Sequence, residues 1–301
     1  VLGFLSHSKK ALCIAGTHGK TTTTTMLAFL LNRSHVGCSA FLGGISSNFG
    51  TNLLIDKDSD YVVIEADEYD RSFLHLHPEI AVITAMDADH LDFFKDIDDI
   101  RHSFRKFAEL LPADGALIIN ADTPKYEMVA ENLPCKVITY GLEHDAEYTA
   151  SDITYDEFGH PTFHVLHNGE DIGTCSLKVP GIHNVSNALA SIAAGRLLGL
   201  DNEVIFAGLK DFGGTDRRFQ YKGKVGEVTI IDDYAHHPTE IEATLHAAHN
   251  YPHKKIWCVF QPHTYTRTKA LLPEFAKALT LADHVVLADI YAARETDNLG
   301  I

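Results

Sequence analysis

The feature that most constrains this chain is a glycine-rich turn near its start, which reads Gly-Thr-His-Gly-Lys-Thr-Thr from Gly16 to Thr22. The apolar run 11–15 before the turn predicts a strand, and the apolar run 26–31 after it predicts a helix. A glycine turn between a strand and a helix lets backbone N–H groups approach phosphate oxygens, and the helix start adds a positive dipole. The turn therefore predicts a phosphate-binding loop in an α/β fold.

Each residue type in such a loop has its own task. Lys20 would reach the β- and γ-phosphates of ATP, and the hydroxyl of Thr21 would bind Mg²⁺. The general pattern has a glycine where this sequence has Ile14, so the loop is a shortened variant. The alternative is an ordinary glycine turn with a solvated lysine. The predicted nucleotide contacts are Gly16, Thr17, His18, Gly19, Lys20, Thr21 and Thr22.

Two polar segments follow later predicted strands. The strand that ends at Ile64 leads into the acidic run 65–70, and the strand 80–85 leads into a run that includes His90. The carboxyl ends of strands in an open α/β sheet are where ligands collect. Carboxylate oxygens suit Mg²⁺, so both runs are candidates for a metal site. The alternatives are a solvated acidic loop and a structural or surface histidine.

Further candidates lie in the second half of the chain. Asn184 and Asn187 are three residues apart at a predicted helix start, so they share a face and either contact an adenine edge or cap the helix. Arg218 belongs to a pair of arginines, whose forked groups suit carboxylate and phosphate. The run 232–238, with Asp233 and His236, and the run 261–268 resemble substrate loops. The alternative for each is an exposed polar loop.

Alternating strand and helix patterns predict the fold class. Strands are predicted at 61–65, 80–85, 116–120 and 136–140, with a helix at 97–111, as in a mostly parallel sheet covered on both faces. Short alternating runs at 148–155, 162–167 and 173–179 predict a small antiparallel insert, because Asn168-Gly169 is a strong hairpin signal. A helix then spans about 183–199, and a second helix ends near residue 210.

Gly213-Gly214 is predicted to join two domains. After it, strands at 228–231, 255–260 and 284–288 alternate with helices at 238–249 and 269–281. The predicted fold is therefore α/β: a P-loop central domain over residues 1–212, followed by an incomplete second α/β (Rossmann-like) domain over residues 213–301.

Composition excludes some classes of partner. The formal net charge is −16, without the basic footprint of a nucleic-acid binder. The apolar run 26–31 is too short to cross a bilayer. Five scattered cysteines, none in a CxxC motif, are typical of reduced thiols in a cytoplasmic protein. We therefore expect no nucleic acid, no membrane insertion and a cytoplasmic location.

The order of these motifs resembles the Mur ligase family. The segments that carry the resemblance are AGTHGKTTTT, EADEYDRSFLHLHPEIAVIT, DADHLD, PGIHNVSNALA, GTDRRF, DDYAHHPTEI and QPHTYTRT, and they span nearly the whole chain. Enzymes of this family have a UDP-binding domain, a central ATPase domain and a C-terminal domain that closes over ATP. The resemblance implies that this chain holds the second of these and the first part of the third.

The resemblance also implies a reaction. ATP would phosphorylate the carboxylate of UDP-N-acetylmuramate, and the amine of L-alanine would then displace phosphate. Two alternatives stay open: a ligase that attaches a recycled tripeptide to the same sugar nucleotide, and a nucleotide-binding fragment without ligase activity.

Residue roles follow from the same resemblance. Lys20 would stabilise the γ-phosphate, Thr21 and Glu65 would hold one Mg²⁺, and His90 would help to hold a second. Asn184 would contact adenine, while Asn187, Arg218 and Asp233 would reach the nucleotide from its other side. The catalytic candidates are Lys20, His90, Arg218, Asp233 and His236; the metal candidates are Thr21, Glu65 and His90.

These residues lie on both sides of the predicted joint, so the site must be assembled by two domains that meet. We expect an open arrangement without ligand, in which Arg218 and Asp233 lie too far from Lys20 to share a nucleotide. We also expect the Lys20 side chain to be exposed at the start of its helix.

Overall fold

The computed structural model describes residues 1–88 and 93–301. A ten-stranded sheet occupies what we call the first region, residues 1–212. Its strands are β1 (Lys10–Ala15), β2 (Ser39–Phe41), β3 (Leu53–Leu54), β4 (Tyr61–Glu65), β5 (Pro78–Ile83), β6 (Ala116–Asn120), β7 (Lys136–Tyr140), β8 (Tyr148–Tyr155), β9 (Pro161–His167) and β10 (Glu170–Ser176). Their order is β10-β9-β8-β7-β6-β5-β1-β4-β2-β3. Most neighbouring strands are parallel, as the sequence predicts.

Helices cover both faces of this sheet, because the middle residues of its inner strands β1, β4 and β6 are apolar and buried. Leu12 and Ile14 of β1 belong to one core, whereas Ala11 and Cys13 belong to the other. This alternation is the two-residue period of a strand buried on both faces. The helices of the first region are α1 (Leu2–Ser8), α2 (Lys20–Asn32), α3 (Ile97–Ala108), α4 (Glu127–Ala130), α5 (Ile182–Leu197) and α6 (Asn202–Asp211), with a 3₁₀ segment at Tyr69–His75.

The antiparallel strands extend the same sheet. β8 pairs in parallel with β7, and β9 and β10 follow it in antiparallel order. Asn168 and Gly169 connect β9 to β10 with φ of 52° and 80°. Two positive φ values are what a tight hairpin turn requires, and asparagine and glycine tolerate them best. The predicted hairpin is confirmed, although its last strand is Glu170–Ser176 rather than 173–179.

The second region, residues 213–301, has its own small core. Its elements are β11 (Gln220–Val225), β12 (Val228–Asp232), α7 (Pro238–His249), β13 (Trp257–Phe260), α8 (Tyr265–Ala270), α9 (Leu272–Leu279) and β14 (His284–Leu287). β13 and β14 form a parallel pair, while β11 and β12 form a separate antiparallel hairpin. The single helix predicted at 269–281 is wrong. A proline in the first turn of α9 favours a new helix start there, because proline lacks the N–H that a helix interior needs.

The predicted joint is fastened to a loop of the first region. The side-chain oxygen of Asn48 accepts from the Gly213 N–H at 2.8 Å, and the Ser47 N–H donates to the Gly214 carbonyl at 3.0 Å. Gly214 has φ of 93°, which favours glycine. Within the described ranges, no helix is long and apolar enough to cross a membrane.

Candidate functional site

The glycine turn between β1 and α2 is shaped by close backbone approaches. Gly16 has φ of 139°, and a Cβ there would lie 2.1 Å from Thr84 Oγ1 and 2.9 Å from the Ala85 nitrogen. Gly19 has φ of 82°, and a Cβ there would lie 2.7 Å from Asn187 Oδ1. The two glycines therefore allow the turn to pass between β5 and α5. This geometry leaves the start of α2 at the carboxyl edge of the sheet, as a phosphate-binding loop requires.

Lys20 opens α2, and its ammonium group is engaged by the protein itself. Lys20 Nζ donates to the Gly16 carbonyl at 2.6 Å and to both carboxylate oxygens of Glu68, at 2.9 and 2.8 Å. The Lys20 side chain is 15% exposed, so the prediction of an exposed lysine is wrong. Burial by itself lowers the pKa of Lys20, but the carboxylates of Glu68, Glu65 and Asp67 outweigh burial and raise it. Lys20 is therefore a positioned, charged donor.

Thr21 and Glu65 meet beside this lysine. Thr21 Oγ1 donates to Glu65 Oε1 at 3.0 Å, and the Gly43 N–H donates to Glu65 Oε2 at 2.9 Å. A Cβ on Gly43 would lie 2.1 Å from that oxygen, so only glycine leaves room for the carboxylate. Burial raises the pKa of Glu65, while Lys20, Thr21 and Arg218 act in the opposite direction.

A hydroxyl and a carboxylate at this distance fit Mg²⁺. Proteins hold this ion through one or two carboxylates, and nucleotide phosphates and water supply the other oxygens. Thr21 and Glu65 are such donors, and they lie next to Lys20. Across residues 1–88 and 93–301, no three His, Cys, Asp or Glu side chains come together as a metal set. His90, the third metal candidate, lies outside the described residues.

Asn184 and Asn187 form a buried ladder against the phosphate loop. Asn187 Oδ1 accepts from Thr23 Oγ1 at 3.1 Å, and Asn187 Nδ2 donates to Asn184 Oδ1, also at 3.1 Å. Asn184 Nδ2 in turn donates to the Pro180 carbonyl at 2.7 Å. Gly181, not an asparagine, is the N-cap of α5. The helix-capping alternative is therefore wrong, and the ladder fixes α5 relative to α2.

The second region brings Arg218 and Asp233 to the same place. Asp233 accepts 2.7 Å hydrogen bonds from the Phe219 and Ala235 N–H groups, so it holds together two loops of its own region. Burial raises the pKa of Asp233, although these two bonds and Arg218 oppose the rise. Arg218 Nη1 lies 3.7 Å from Glu240 Oε1. Asp233 thus supports the loop that presents Arg218.

Side-chain contacts join the two regions, and the open arrangement expected without ligand stays a prediction. Glu240 Oε1 of α7 lies 3.4 Å from Nδ1 of His18 in the glycine turn, and Nε2 of the same ring lies 3.1 Å from Asp87 Oδ2. The His18 and His237 rings also lie 4.7 Å apart, centroid to centroid. Burial alone lowers the pKa of His18, but Asp87 and Glu240 raise it to about 9. His18 therefore lies between two carboxylates, one from each region.

One cavity of about 400 Å³ lies between the regions. The first region lines it with the glycine turn and α5, and the second region lines it with Arg218, Asp233 and Glu240. His183 also lines it, and burial together with Arg218 lowers the pKa of this histidine to about 4. The cavity therefore places the glycine turn and Arg218 on the walls of one space.

His236 and the loop 261–268 lie to one side. The His236 ring packs against Tyr234 and lies 5.9 Å from the His263 ring, while its backbone N–H donates to Glu240 Oε2 at 3.1 Å. In the described part of the chain, neither His236 nor the loop is among the residues that line the cavity. A direct catalytic role for His236 stays a prediction.

Sequence reasoning missed Glu68 and Glu240. Both belong to motifs that the sequence singled out, but a run of charges does not tell which carboxylate will meet which cation. Each carboxylate contacts a residue that is far away in the sequence: Lys20 and His18, respectively. The sequence signal was position alone. Glu68 lies within the acidic run 65–70, and Glu240 lies two residues after Pro238, in the first turn of α7.

Comparison with known proteins finds two protein families that match this chain. The family described as Mur ligase middle domain matches residues 14–195, and the one described as Mur ligase, glutamate ligase domain matches residues 217–299. The UDP-N-acetylmuramate–L-alanine ligase of Lachnospira eligens is 55% identical over 294 residues, which are 97% of this chain and 64% of that protein. The chain therefore spans less than two thirds of that relative's length.

Solved structures agree with the fold. The UDP-N-acetylmuramate-alanine ligase from Thermotoga maritima superposes with a TM-score of 0.80 at 33% identity, over 96% of this chain and 64% of that one. A murein peptide ligase from Psychrobacter arcticus superposes with a TM-score of 0.68 at 28% identity, over 95% of this chain and 65% of that one.

Proposed function

Because this chain belongs to the Mur ligase family, we propose that it carries the ATP site of a cytoplasmic ligase that joins L-alanine to the carboxylate of UDP-N-acetylmuramate. The observation that carries the proposal is the cavity in which Thr21 of the glycine turn and Arg218 of the second region lie on facing walls. Glu65 is hydrogen-bonded to Thr21, and Lys20 lies beside Glu65. We place the central ATPase domain at residues 1–212 and part of the closing domain at residues 213–301. The choice of L-alanine as the acceptor is supported by the 55% identical relative from Lachnospira eligens, which is a UDP-N-acetylmuramate–L-alanine ligase.

The proposed reaction has two steps. A carboxylate oxygen of the sugar nucleotide attacks the γ-phosphorus of ATP, the bond to ADP breaks, and an acyl phosphate forms. The amine of L-alanine then attacks the acyl carbon, phosphate leaves, and the amine gives up a proton. Negative charge gathers on the phosphoryl oxygens in the first step, so positioned cations supply most of the catalysis.

The residues of this chain divide the work of the first step. Lys20 donates to the γ-phosphoryl oxygens from the start of α2, and Arg218 does so from the opposite wall. Thr21 and Glu65 would hold Mg²⁺, which neutralises phosphate charge when bound. Asn187 and Asn184 keep α5 against the phosphate loop, so the adenosine half has a fixed wall.

The test is phosphate release from ATP and Mg²⁺ by the protein in its full natural length, with UDP-N-acetylmuramate as the acceptor. L-alanine should stimulate phosphate release, and mass spectrometry should find the alanyl product. Stimulation by the tripeptide instead would favour the recycling ligase. Phosphate release that neither amine stimulates, or no phosphate release at all, would indicate a nucleotide-binding module and overturn the ligase proposal. A Lys20→Ala variant measured in parallel controls for other phosphatases.

A further inference from the structure

Glu240 sits where the two regions touch. Its carboxylate accepts from the His236 N–H at 3.1 Å, lies 3.4 Å from His18 Nδ1 and lies 3.7 Å from Arg218 Nη1. The side chain is 13% exposed and lines the cavity between the regions. One carboxylate therefore contacts a side chain of the phosphate-binding turn and the arginine that faces it.

A carboxylate on the wall of a phosphate site needs an explanation, because like charges repel. Glu240 lies next to the residues proposed to bind ATP, so its charge by itself opposes the nucleotide. The cations around it are His18, Arg218 and the His236 ring, and they hold the pKa of Glu240 well below its usual range against the effect of burial. Asp87 lies across His18, and His183 and Asp233 line the same cavity.

We propose that Glu240 is a positioning residue, which draws His18 of the phosphate turn and Arg218 of the second region to one point and so sets Arg218 at the phosphate site when the domains close. The inference rests on the proposed ATP site and goes beyond it. A buried carboxylate with two cationic partners fixes their geometry, and truncating one member of such a set costs more than the contact itself contributes.

The two interpretations of Glu240 predict opposite changes in ATP affinity for the same substitution. If Glu240 is only a negative charge near phosphate, Glu240→Gln should tighten ATP binding. If it positions Arg218 and His18, the substitution should weaken Mg-ATP binding by roughly tenfold, which corresponds to the loss of about 1.4 kcal/mol. Calorimetric titration of the 301-residue chain with Mg-ATP measures this. Affinity equal to or tighter than that of the parent would overturn the proposal.

Matched variants separate positioning from general damage. Glu242→Gln changes an exposed glutamate on the same helix, paired with His246, and should leave ATP affinity unchanged. Glu240→Asp keeps the charge and should recover part of the affinity. His18→Gln should weaken binding similarly, and the double variant with Glu240→Gln should be no weaker than either single variant. Additive losses would contradict the shared contact. If Glu240→Gln is unstable, the Glu240→Asp and His18→Gln variants still test the proposal, and affinity equal to that of the parent in both would overturn it.

Small-angle scattering gives a readout that does not depend on binding. The Glu240→Gln variant should have a larger radius of gyration than the parent or the Glu242→Gln variant, because the regions separate. Equal dimensions would count against the proposal. If the parent chain fails to bind Mg-ATP, or binds it equally well after Lys20→Ala, the ATP site itself is wrong. Parent binding through Lys20 with an unaffected Glu240→Gln variant would remove only the present inference.

Discussion

Strand β1 of the first region and strand β14 of the second carry similar apolar side chains in opposite surroundings. Leu12 of β1 is 0% exposed, whereas Leu287 of β14 is 62% exposed. The site draws on both regions, so its two walls are held differently. Lys20, Thr21 and Glu65 are fixed by hydrogen bonds inside one packed body, whereas Arg218 pairs with Glu240 of its own region, and Glu240 in turn contacts the glycine turn, at His18. The first wall is therefore held within one region, and the second is held by a contact between the regions.

The largest effect should follow from Lys20→Ala. Loss of the ammonium group proposed to bind the γ-phosphate should lower ligase turnover by about 10³-fold, the scale expected when a positioned cation or donor is removed at a transition state. The same change leaves the Glu68 carboxylate without the lysine, so thermal stability should fall as well. Glu68→Gln added to Lys20→Ala should recover stability but not turnover. Lys10→Ala, at an exposed lysine, is the control; turnover near the parent level in Lys20→Ala would remove the P-loop assignment.

A pair of leucine truncations tests the packing contrast directly. Leu12→Ala should cost about 3 kcal/mol of unfolding free energy, because it opens a cavity under a sheet buried on both faces. Leu287→Ala should change it by less than about 0.5 kcal/mol, since the side chain is already solvated. Urea denaturation of the two variants measures both values. Similar costs at the two positions would mean that the second region is packed as tightly as the first.

Arg218→Ala should separate activity from stability. The guanidinium group is 30% exposed and lines the cavity proposed to hold the phosphates. We expect turnover to fall by about 100-fold, with a smaller loss of thermal stability, because Glu240 keeps His18 as a partner. Arg217→Ala is the neighbouring control, as that side chain is 59% exposed and pairs with Asp232. Equal losses in both variants would point to a loop effect rather than to Arg218.

The smallest expected difference in stability is between alanine substitutions at two glycines with nearly the same φ. Gly16 and Gly223 have φ of 139° and 136°, but a Cβ meets backbone atoms only at Gly16, since nothing lies within 4 Å of the position at Gly223. Gly223→Ala should cost about 1 kcal/mol for its φ alone. Gly16→Ala should cost about 1–3 kcal/mol more, because the Ala85 nitrogen at 2.9 Å must move. Equal decreases in melting temperature for the two variants would show that the backbone around Gly16 can move to accommodate a Cβ.

Where burial on two faces or a proline fixes a segment, the sequence was enough to predict it. The predicted strand 116–120 and helix 238–249 match β6 and α7 residue for residue. The strand β11 was missed because lysines and a glycine interrupt its alternation and most of its residues are exposed. A half-solvated hairpin leaves little apolar periodicity to detect.

The candidate site divides in the same way. The glycine turn, Thr21 and Glu65 follow from local motifs and from the rule that parallel strands end at one edge. The pairing of Lys20 with Glu68 and of His18 with Glu240 depends on how loops fold in three dimensions, and two adjacent carboxylates in an acidic run are equivalent until then. For the same reason, the expectation of an open form without ligand did not include Glu240, a carboxylate that contacts both regions.

The fastening of the joint has a consequence for the order of assembly. Asn48 contacts Asp211 and Gly213, and Ile45 accepts from the Asp216 N–H, so the two ends of a very long chain segment meet at one point. Closing such a segment by itself costs entropy that these few bonds do not repay. We expect the central sheet to form first and bring the two ends together. During synthesis, the second region would then dock on the folded first region. A substitution that destabilises the central sheet would delay this docking even though it leaves the residues of the joint unchanged.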